Sequence, residues 1–222
     1  YEAEFQNDGR PTTAWFTFQG VWMMDKVKYP FNQLPGDVMN AFQQGSYGSW
    51  VPDDCYLIRR AGMGPVYKLE VENGNTETDL YYSASGDLIR AVAGGADDGP
   101  VVIPDKVSEF VRLTFAGAQL LDIQTDASGV TLGLMDGKIY KVARLNSQYI
   151  WQNTTWALAE QDVPQVVRAG FAASAYADDT IVGIRTLLNA DGTFYVYEVT
   201  HGGKPLAATF DVFGQLVKAE PV

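Results

Sequence analysis

The sequence predicts an α+β protein made of tandem repeats of one unit: an α-helix packed on a roughly four-stranded antiparallel meander sheet. Three observations predict it. A short strand signature returns along the chain at near-constant spacing. A proline-opened amphipathic segment recurs in register with it, and tight-turn dipeptides separate runs of alternating hydrophobicity.

The signature is Tyr1-Glu2-Ala3-Glu4-Phe5. It returns as Tyr67-Lys68-Leu69-Glu70-Val71 and as Tyr195-Val196-Tyr197-Glu198-Val199, with a weaker copy at Val130-Thr131-Leu132-Gly133-Leu134. The starting positions 1, 67, 130 and 195 are separated by 66, 63 and 65 residues. A second apolar alternation follows 13 residues after each start, at Ala14/Phe16, Leu80/Tyr82, Ala143/Leu145 and Ala208/Phe210. Eight residues further on stand Trp22, Leu88, Trp151 and Leu216. Two residues before these are Gly20, Gly86 and Gly214; the third copy has Tyr149 there, so its turn is expected to differ.

The helices are placed by proline, which is favoured at the first helical position because its missing N–H costs nothing there. Val38, Ala41 and Phe42 follow Pro35. Val107, Phe110, Val111, Thr114 and Phe115 follow Pro104, and Val167, Gly170, Phe171 and Ala175 follow Pro164. Steps of three and four put one apolar stripe on each helix.

The rest of each unit alternates with period two, as strands do. Asn7-Asp8-Gly9, Asn73-Gly74-Asn75, Asp136-Gly137, Asp191-Gly192 and Gly202-Gly203 supply the positive φ of tight hairpin turns. Gly94-Gly95-Ala96-Asp97-Asp98-Gly99-Pro100 reads as a linker. The expected organisation is an N-terminal domain over 1–95, with a partial first repeat (1–31) and a second (32–95), and a C-terminal domain over 96–222, with repeats at 101–158 and 160–222. The first repeat starts at its second strand, and its strands are expected to complete the sheet of the next unit.

Parity assigns the faces. In the second repeat Tyr67, Leu69, Val71, Leu80 and Tyr82 point one way, under the helix. Lys68, Glu70, Glu72, Asp79 and Tyr81 point the other way and are expected to face water, because one helix covers only one side of a sheet. Glu2, Glu4 and Trp15 share that open face in the first repeat, Arg144 in the third, and Val196, Glu198 and Thr209 in the fourth. The less polar face of the fourth suggests cover by a neighbouring unit or partner. Trp22, Trp151 and Trp156 fall at positions suited to packing.

Composition narrows the function. Of 222 residues 46% are hydrophobic and 13% aromatic, which argues against disorder. There are 27 acidic and 16 basic side chains, for a net charge of −11, which disfavours a nucleic-acid partner. No apolar run reaches the roughly 18 residues of a membrane helix. A signal or lipid anchor, where present, lies upstream of Tyr1.

Catalytic constellations are sparse. His201 is the one histidine and Cys55 the one cysteine, so a Ser/His scheme has only His201 to draw on, and no Gly-x-Ser-x-Gly elbow accompanies it. His201 reads as an exposed turn residue. Cys55 follows Asp53-Asp54, which raise a thiol's pKa rather than lower it, so it reads as structural. The pairs Asp53-Asp54, Asp97-Asp98 and Asp178-Asp179 are oxygen donors suited to calcium, but none matches an EF-hand, and solvated loops are the plainer reading. No two of the acids are marked as a glycosidase pair.

Gly20-Val21-Trp22, Leu34-Pro35 to Phe42, Tyr67 to Val71 and Leu80 to Leu88, echoed by Val163-Pro164, Phe171, Tyr195 to Val199 and Phe213-Gly214, resemble the PepSY-like family, also described as β-lactamase-inhibitor-like. The resemblance covers nearly the whole chain as tandem copies. It implies a secreted, usually periplasmic or envelope protein with a helix on an antiparallel sheet. It brings no catalytic residue, a conjectured inhibitory or protein-binding role, and a suggested calcium regulation in some members. The third copy departs from it at the Tyr, the Glu and the turn glycine.

The resulting expectation is a non-enzymatic periplasmic binding protein with no cofactor. It meets a partner protein bearing basic patches on its open sheet face, through Trp15 and Tyr81 for apolar contact and Glu4, Glu70 and Glu198 for charge. The alternatives are a calcium-responsive or small-ligand module, a structural scaffold with no ligand, and a hydrolase using a carboxylate pair.

Overall fold

A computed structural model describes residues 1–96 and 98–222; Asp97, from one of the acidic pairs, lies outside the described residues. Three strands come first: β1 (Glu2–Asn7), β2 (Arg10–Phe16) and β3 (Trp22–Tyr29). Helix α1 (Gly36–Gln44) precedes β4 (Val51–Arg60), β5 (Val66–Asn73), β6 (Thr76–Tyr82) and β7 (Leu88–Ala93). Helix α2 (Asp105–Thr114) precedes β8 (Gln119–Asp126), β9 (Gly129–Asp136), β10 (Ile139–Asn146) and β11 (Trp151–Ala157). Helix α3 (Gln165–Ala172) precedes β12 (Thr180–Asn189), β13 (Gly192–His201), β14 (Lys204–Asp211) and β15 (Leu216–Pro221).

The strands do not stay in sheets of four. β1 to β7 form one seven-stranded sheet and β8 to β15 one eight-stranded sheet, each in chain order. The last strand of one group pairs with the first of the next, β3 with β4 and β11 with β12, both antiparallel. Each fusion removes two exposed sheet edges, rows of unpaired backbone groups. The strands opening the chain thus extend the sheet of the following group.

The chain divides into two compact units, residues 1–123 with 133–138, and residues 124–132 with 139–222. The expected boundary after residue 95 falls between the two sheets, whereas the compact units part within β8 and β9.

Each proline sits one position earlier than expected. Pro35, Pro104 and Pro164 are the caps, with extended ψ near 140°, and the helix starts at the next residue. Their carbonyls accept the first i to i+4 bonds, from Met39, Ser108 and Arg168 at 3.0–3.1 Å. A cap position has extended backbone and already contributes its carbonyl, so it suits proline as well as the first helical turn does.

Helices of 8 to 10 residues are too short to stand alone and depend on the sheet beneath. In the first unit Val38 and Phe42 of α1 pack with Cys55, Leu69, Val71, Leu80 and Tyr82. In the second, Val167 and Phe171 of α3 pack with Tyr197, Val199, Ala208 and Phe210. Phe171 stacks on Tyr197 with ring centroids 4.1 Å apart. Trp22, Leu88, Trp151 and Leu216 each open the last strand of a group, but Trp22, Leu88 and Leu216 are exposed there and Trp151 half-buried. The packing role expected of Trp22 is therefore corrected. Tyr149 also corrects an expectation: its φ is +65°, against +79° to +85° for Gly20, Gly86 and Gly214, so the third turn keeps the same left-handed backbone without glycine.

Candidate functional site

The second face of the seven-stranded sheet carries the densest charge in the first unit. Hairpin register places Lys68 opposite Tyr81, Glu70 opposite Asp79 and Glu72 opposite Glu77. Thr13 lies opposite Lys26 on the adjoining strands, and Glu2 opposite Trp15. This face was expected to lie open to water. Instead Lys68 is 3% and Tyr81 2% exposed, with Asp79 also buried.

The cover is the segment that reads as a linker. Gly94 N–H donates to the Glu77 carbonyl at 3.0 Å, and Ala96 N–H donates to Asp79 Oδ2 at 2.8 Å. Asp98 then reaches down onto the sheet. Its Oδ1 accepts from the Tyr81 hydroxyl at 2.5 Å, and its Oδ2 from Lys68 Nζ at 2.7 Å and Lys26 Nζ at 3.1 Å. Lys68 also meets Asp79 Oδ2 and Glu70 Oε1, each at 2.8 Å, so its ammonium faces three carboxylates. Arg90 lies 4.3 Å from the centroid of the Tyr81 ring.

Electrostatics follow from this geometry. Burial alone would lower the Lys68 pKa, but the hydrogen bonds it donates to Asp79, Asp98 and Glu70 outweigh it and hold the pKa above the ordinary lysine value. Burial would raise Asp98, but Lys68 and Tyr81 bind its charged form and hold it below the usual carboxylate range. Burial, then the bond to Asp98, pushes the Tyr81 phenol up. Tyr81 is thus a structural donor with no surface to offer, and its expected role as an apolar contact is withdrawn. The sequence reading missed Lys68 as a hub because its partner Asp98 stands thirty residues away.

Beside this cluster the face opens into a groove of about 820 Å3. Glu2, Asp53, Glu70, Glu72, Glu77 and Trp15 line it together with the cluster. Trp15 is half-buried and donates through Nε1 to Glu2 Oε2 at 3.1 Å. Glu72 and Glu77 face each other across the ladder, and among the described residues neither meets a cation. Like charges directly opposite on a sheet are destabilising.

The other expected site residues are dispersed. Glu4 is exposed on β1, outside the groove's lining. Glu70 lines the groove and is partly neutralised by Lys68. Glu198 belongs to the second unit and accepts from Arg185 Nε at 2.8 Å. The outer positions Val196 and Thr209 in that unit are buried.

The acidic pairs are largely engaged with protein partners. Asp53 and Asp54 lie on β4 at a bulge rather than in a loop; Asp54 meets Lys28 Nζ at 2.6 Å and the Tyr56 hydroxyl at 2.8 Å. Asp179 meets His201 Nδ1 at 2.8 Å, and Asp178 is exposed. Among the described residues no three His, Cys, Asp or Glu side chains form a group able to hold a metal ion.

Cys55 is buried in the core beneath α1, and burial, then Asp54, pushes its thiol up to about 12. Native protein is therefore expected to react with iodoacetamide at least about 100-fold more slowly than denatured protein. Equal labelling rates by mass spectrometry would contradict the packing given for Cys55.

Comparison with known proteins gives one family match. The model described as "Putative beta-lactamase-inhibitor-like, PepSY-like" matches residues 1–90 and 131–218. No curated protein matches the chain. Among solved structures, the chain is similar to a BLIP-like protein from Bacteroides fragilis at 33% identity, covering 46% of this chain and 75% of that one, with a TM-score of 0.43. It is also similar to a DUF2874 family protein from Bacteroides uniformis, at 25% identity over 42% and 70% of the two chains, TM-score 0.41. A third, described as a "putative periplasmic" protein from Bacteroides eggerthii, shares 22% identity over 42% and 69%, TM-score 0.40.

Proposed function

This chain belongs to the PepSY-like, β-lactamase-inhibitor-like family, and on that premise we propose that it is a non-catalytic recognition protein of the cell envelope. Its ligand is a lysine- or arginine-bearing segment of another protein, received in the acidic groove on the second face of the seven-stranded sheet. The observation that carries this reading is the Glu72–Glu77 pair. Two carboxylates held opposite each other with no internal cation cost stability, and a basic side chain placed between them removes that cost. Asp53 adds exposed charge to the same groove, and Trp15 offers a half-buried aromatic edge. We read a helix with its four following strands as one copy of the repeat, and the sheet junction after residue 95 as the domain boundary. The family resemblance supports the envelope location, which cell fractionation of the natural gene product tests.

Titration of oligo-lysine tests the groove. Glu72→Gln/Glu77→Gln is expected to weaken binding about tenfold at low salt, with a smaller difference at high salt. The same variant is expected to be more stable than the parent by about 0.2–1 kcal/mol, since it removes the repulsion. Equal affinity in parent and variant would take the groove out of the proposal.

A further inference from the structure

A pocket of about 510 Å3 lies at the corner of the first unit where β3 gives way to α1. The β1–β2 turn, the end of β3 with the short turn after it, and Asp53 and Asp54 of β4 line it. Its volume suits a small molecule.

Arg10 is clamped in this pocket with one nitrogen unused. Its guanidinium carbon lies 3.9 Å from the centroid of the Tyr29 ring, and Nη2 donates to Gln33 Oε1 at 2.8 Å. Gln33 is itself held, because its turn, Phe31–Gln33, sets Phe31 edge-on against Phe42 of α1 and leads into buried Leu34. Nη1 is enclosed and, among the described residues, has no hydrogen-bond partner. A buried donor left unpaired costs free energy that an acceptor brought to it recovers. Stacking and the Gln33 bond fix the guanidinium plane beforehand, so little side-chain freedom is lost when an anion arrives.

Bracing the corner does not explain the guanidinium. In repeat register the second unit has Ile139, Leu158, Glu160 and Asp162 where the first has Arg10, Tyr29, Phe31 and Gln33. That corner makes the same short turn into a proline-capped helix with neither the ring nor the donor. The site also lies beyond the reach of a helix laid over the first strands. Thr76, Ile139 and Lys204, which hold the position of Arg10 in the three groups that follow a helix, are all exposed.

The charge of the lining selects the ligand. Lys28 is taken by Asp54, Nζ to Oδ1 at 2.6 Å, whereas among the described residues no carboxylate pairs with Arg10. The side chains of Asp8 and Asp53 likewise form no hydrogen bond or ion pair among the described residues. Two cations against three acids disfavour a bare anion, but a ligand carrying both signs meets Arg10 and the free acids together. We propose that this pocket binds a free amino acid with an apolar side chain. Its carboxylate lies on Arg10 Nη1, its ammonium toward Asp8 and Asp53, and its side chain against Pro30 and Phe31. The inference does not depend on the acidic groove, although Asp53 lines both.

L-Phenylalanine titrated into the full chain, followed by amide NMR shifts, serves as the probe. Hydrocinnamate, which lacks the amine, and phenethylamine, which lacks the carboxylate, are titrated beside it. Expected are one-to-one saturation by phenylalanine with a dissociation constant of about 1 mM or below, and shifts centred on Arg10 and Phe31–Gln33. Each half-ligand should bind at least about tenfold more weakly. Arg10→Gln should weaken phenylalanine about tenfold or more while leaving phenethylamine unchanged, and Arg10→Lys should not restore it, since an ammonium lacks the planar fork. Asp8→Asn should weaken phenylalanine but not hydrocinnamate. Glu72→Gln/Glu77→Gln should leave phenylalanine binding unchanged, which separates this pocket from the groove. The amide spectrum of each variant checks that it folds. The inference is overturned if phenylalanine fails to saturate by about 10 mM, if Arg10→Gln binds it like the parent, if either half-ligand binds as tightly, or if the shifts lie elsewhere.

Discussion

Replacing Lys68 by methionine is expected to destabilise the protein by about 3–5 kcal/mol. Methionine keeps the apolar stem but deletes the ammonium that Asp79, Asp98 and Glu70 share at 2.7–2.8 Å. Buried Asp79 and Asp98 and the half-buried Glu70 then lose the cation they share, and the ammonium left beside them is that of Lys26, at 3.1 Å from Asp98 and 3.8 Å from Glu70. At roughly 2–4 °C per kcal/mol for a chain of this length, the transition should fall by about 10 °C or more.

The pH dependence gives the test its sign. In the parent, Asp98 is held below the ordinary carboxylate value despite burial, because Lys68 and Tyr81 bind its charged form. A group with a depressed folded pKa stabilises above its unfolded value, about 3.9, and that contribution is lost as pH falls through the folded value. Without Lys68, burial dominates and the Asp98 pKa moves upward. Acidification then relieves the Lys68→Met variant while it weakens the parent. The stability gap between them should narrow from pH 7 to pH 3, measured by urea unfolding. A gap that is small at pH 7, or constant with pH, would mean the cluster is not the clasp described.

The second large effect is expected at a glycine. A Cβ on Gly170 of α3 would lie 1.9 Å from the carbonyl oxygen of Gly214 and 2.7 Å from its carbon. Both sides of that contact are backbone, so no side chain can rotate away. Gly170→Ala must push α3 off the β14–β15 turn and loosen Val167 and Phe171 from the core. The expected loss is about 3 kcal/mol or more, at or above the upper end for overpacking. Gly20→Ala, at the turn with open space around it, should cost only the strain of its positive φ, about 1–2 kcal/mol. If unfolding by urea shows the two substitutions to be equal, the contact between helix and turn is not as close as described.

Much of this was legible from local patterning. The period-two alternation of Tyr67 to Val71 and Leu80 to Tyr82 names the side that packs under a helix, and Leu69, Val71, Leu80 and Tyr82 do lie in one core with Val38 and Phe42. The prolines mark all three helix starts to within one residue. The Glu72–Glu77 opposition was also within reach. Counting outward from Asn73-Gly74-Asn75 pairs Glu72 with Glu77 and Lys68 with Tyr81, because a tight hairpin dictates its own register. Tyr149 escaped, since its left-handed turn carries no glycine to announce it.

Alternation along the chain specified helices, strands, turns and the inward side, because these depend on neighbours within about ten residues and on burying apolar area. That the third and fourth copies would merge through β11 and β12 as the first two do, and what would lie over the polar side of the first sheet, were decided only in three dimensions. Parity says which way Lys68 and Tyr81 point but carries no information about Asp98, thirty and seventeen residues distant, closing over them. A buried ion cluster is assembled from separate segments, and its energy depends on distances that no periodicity encodes. That is why Tyr81 reads in sequence as a binding residue and in the fold is the anchor of a clasp.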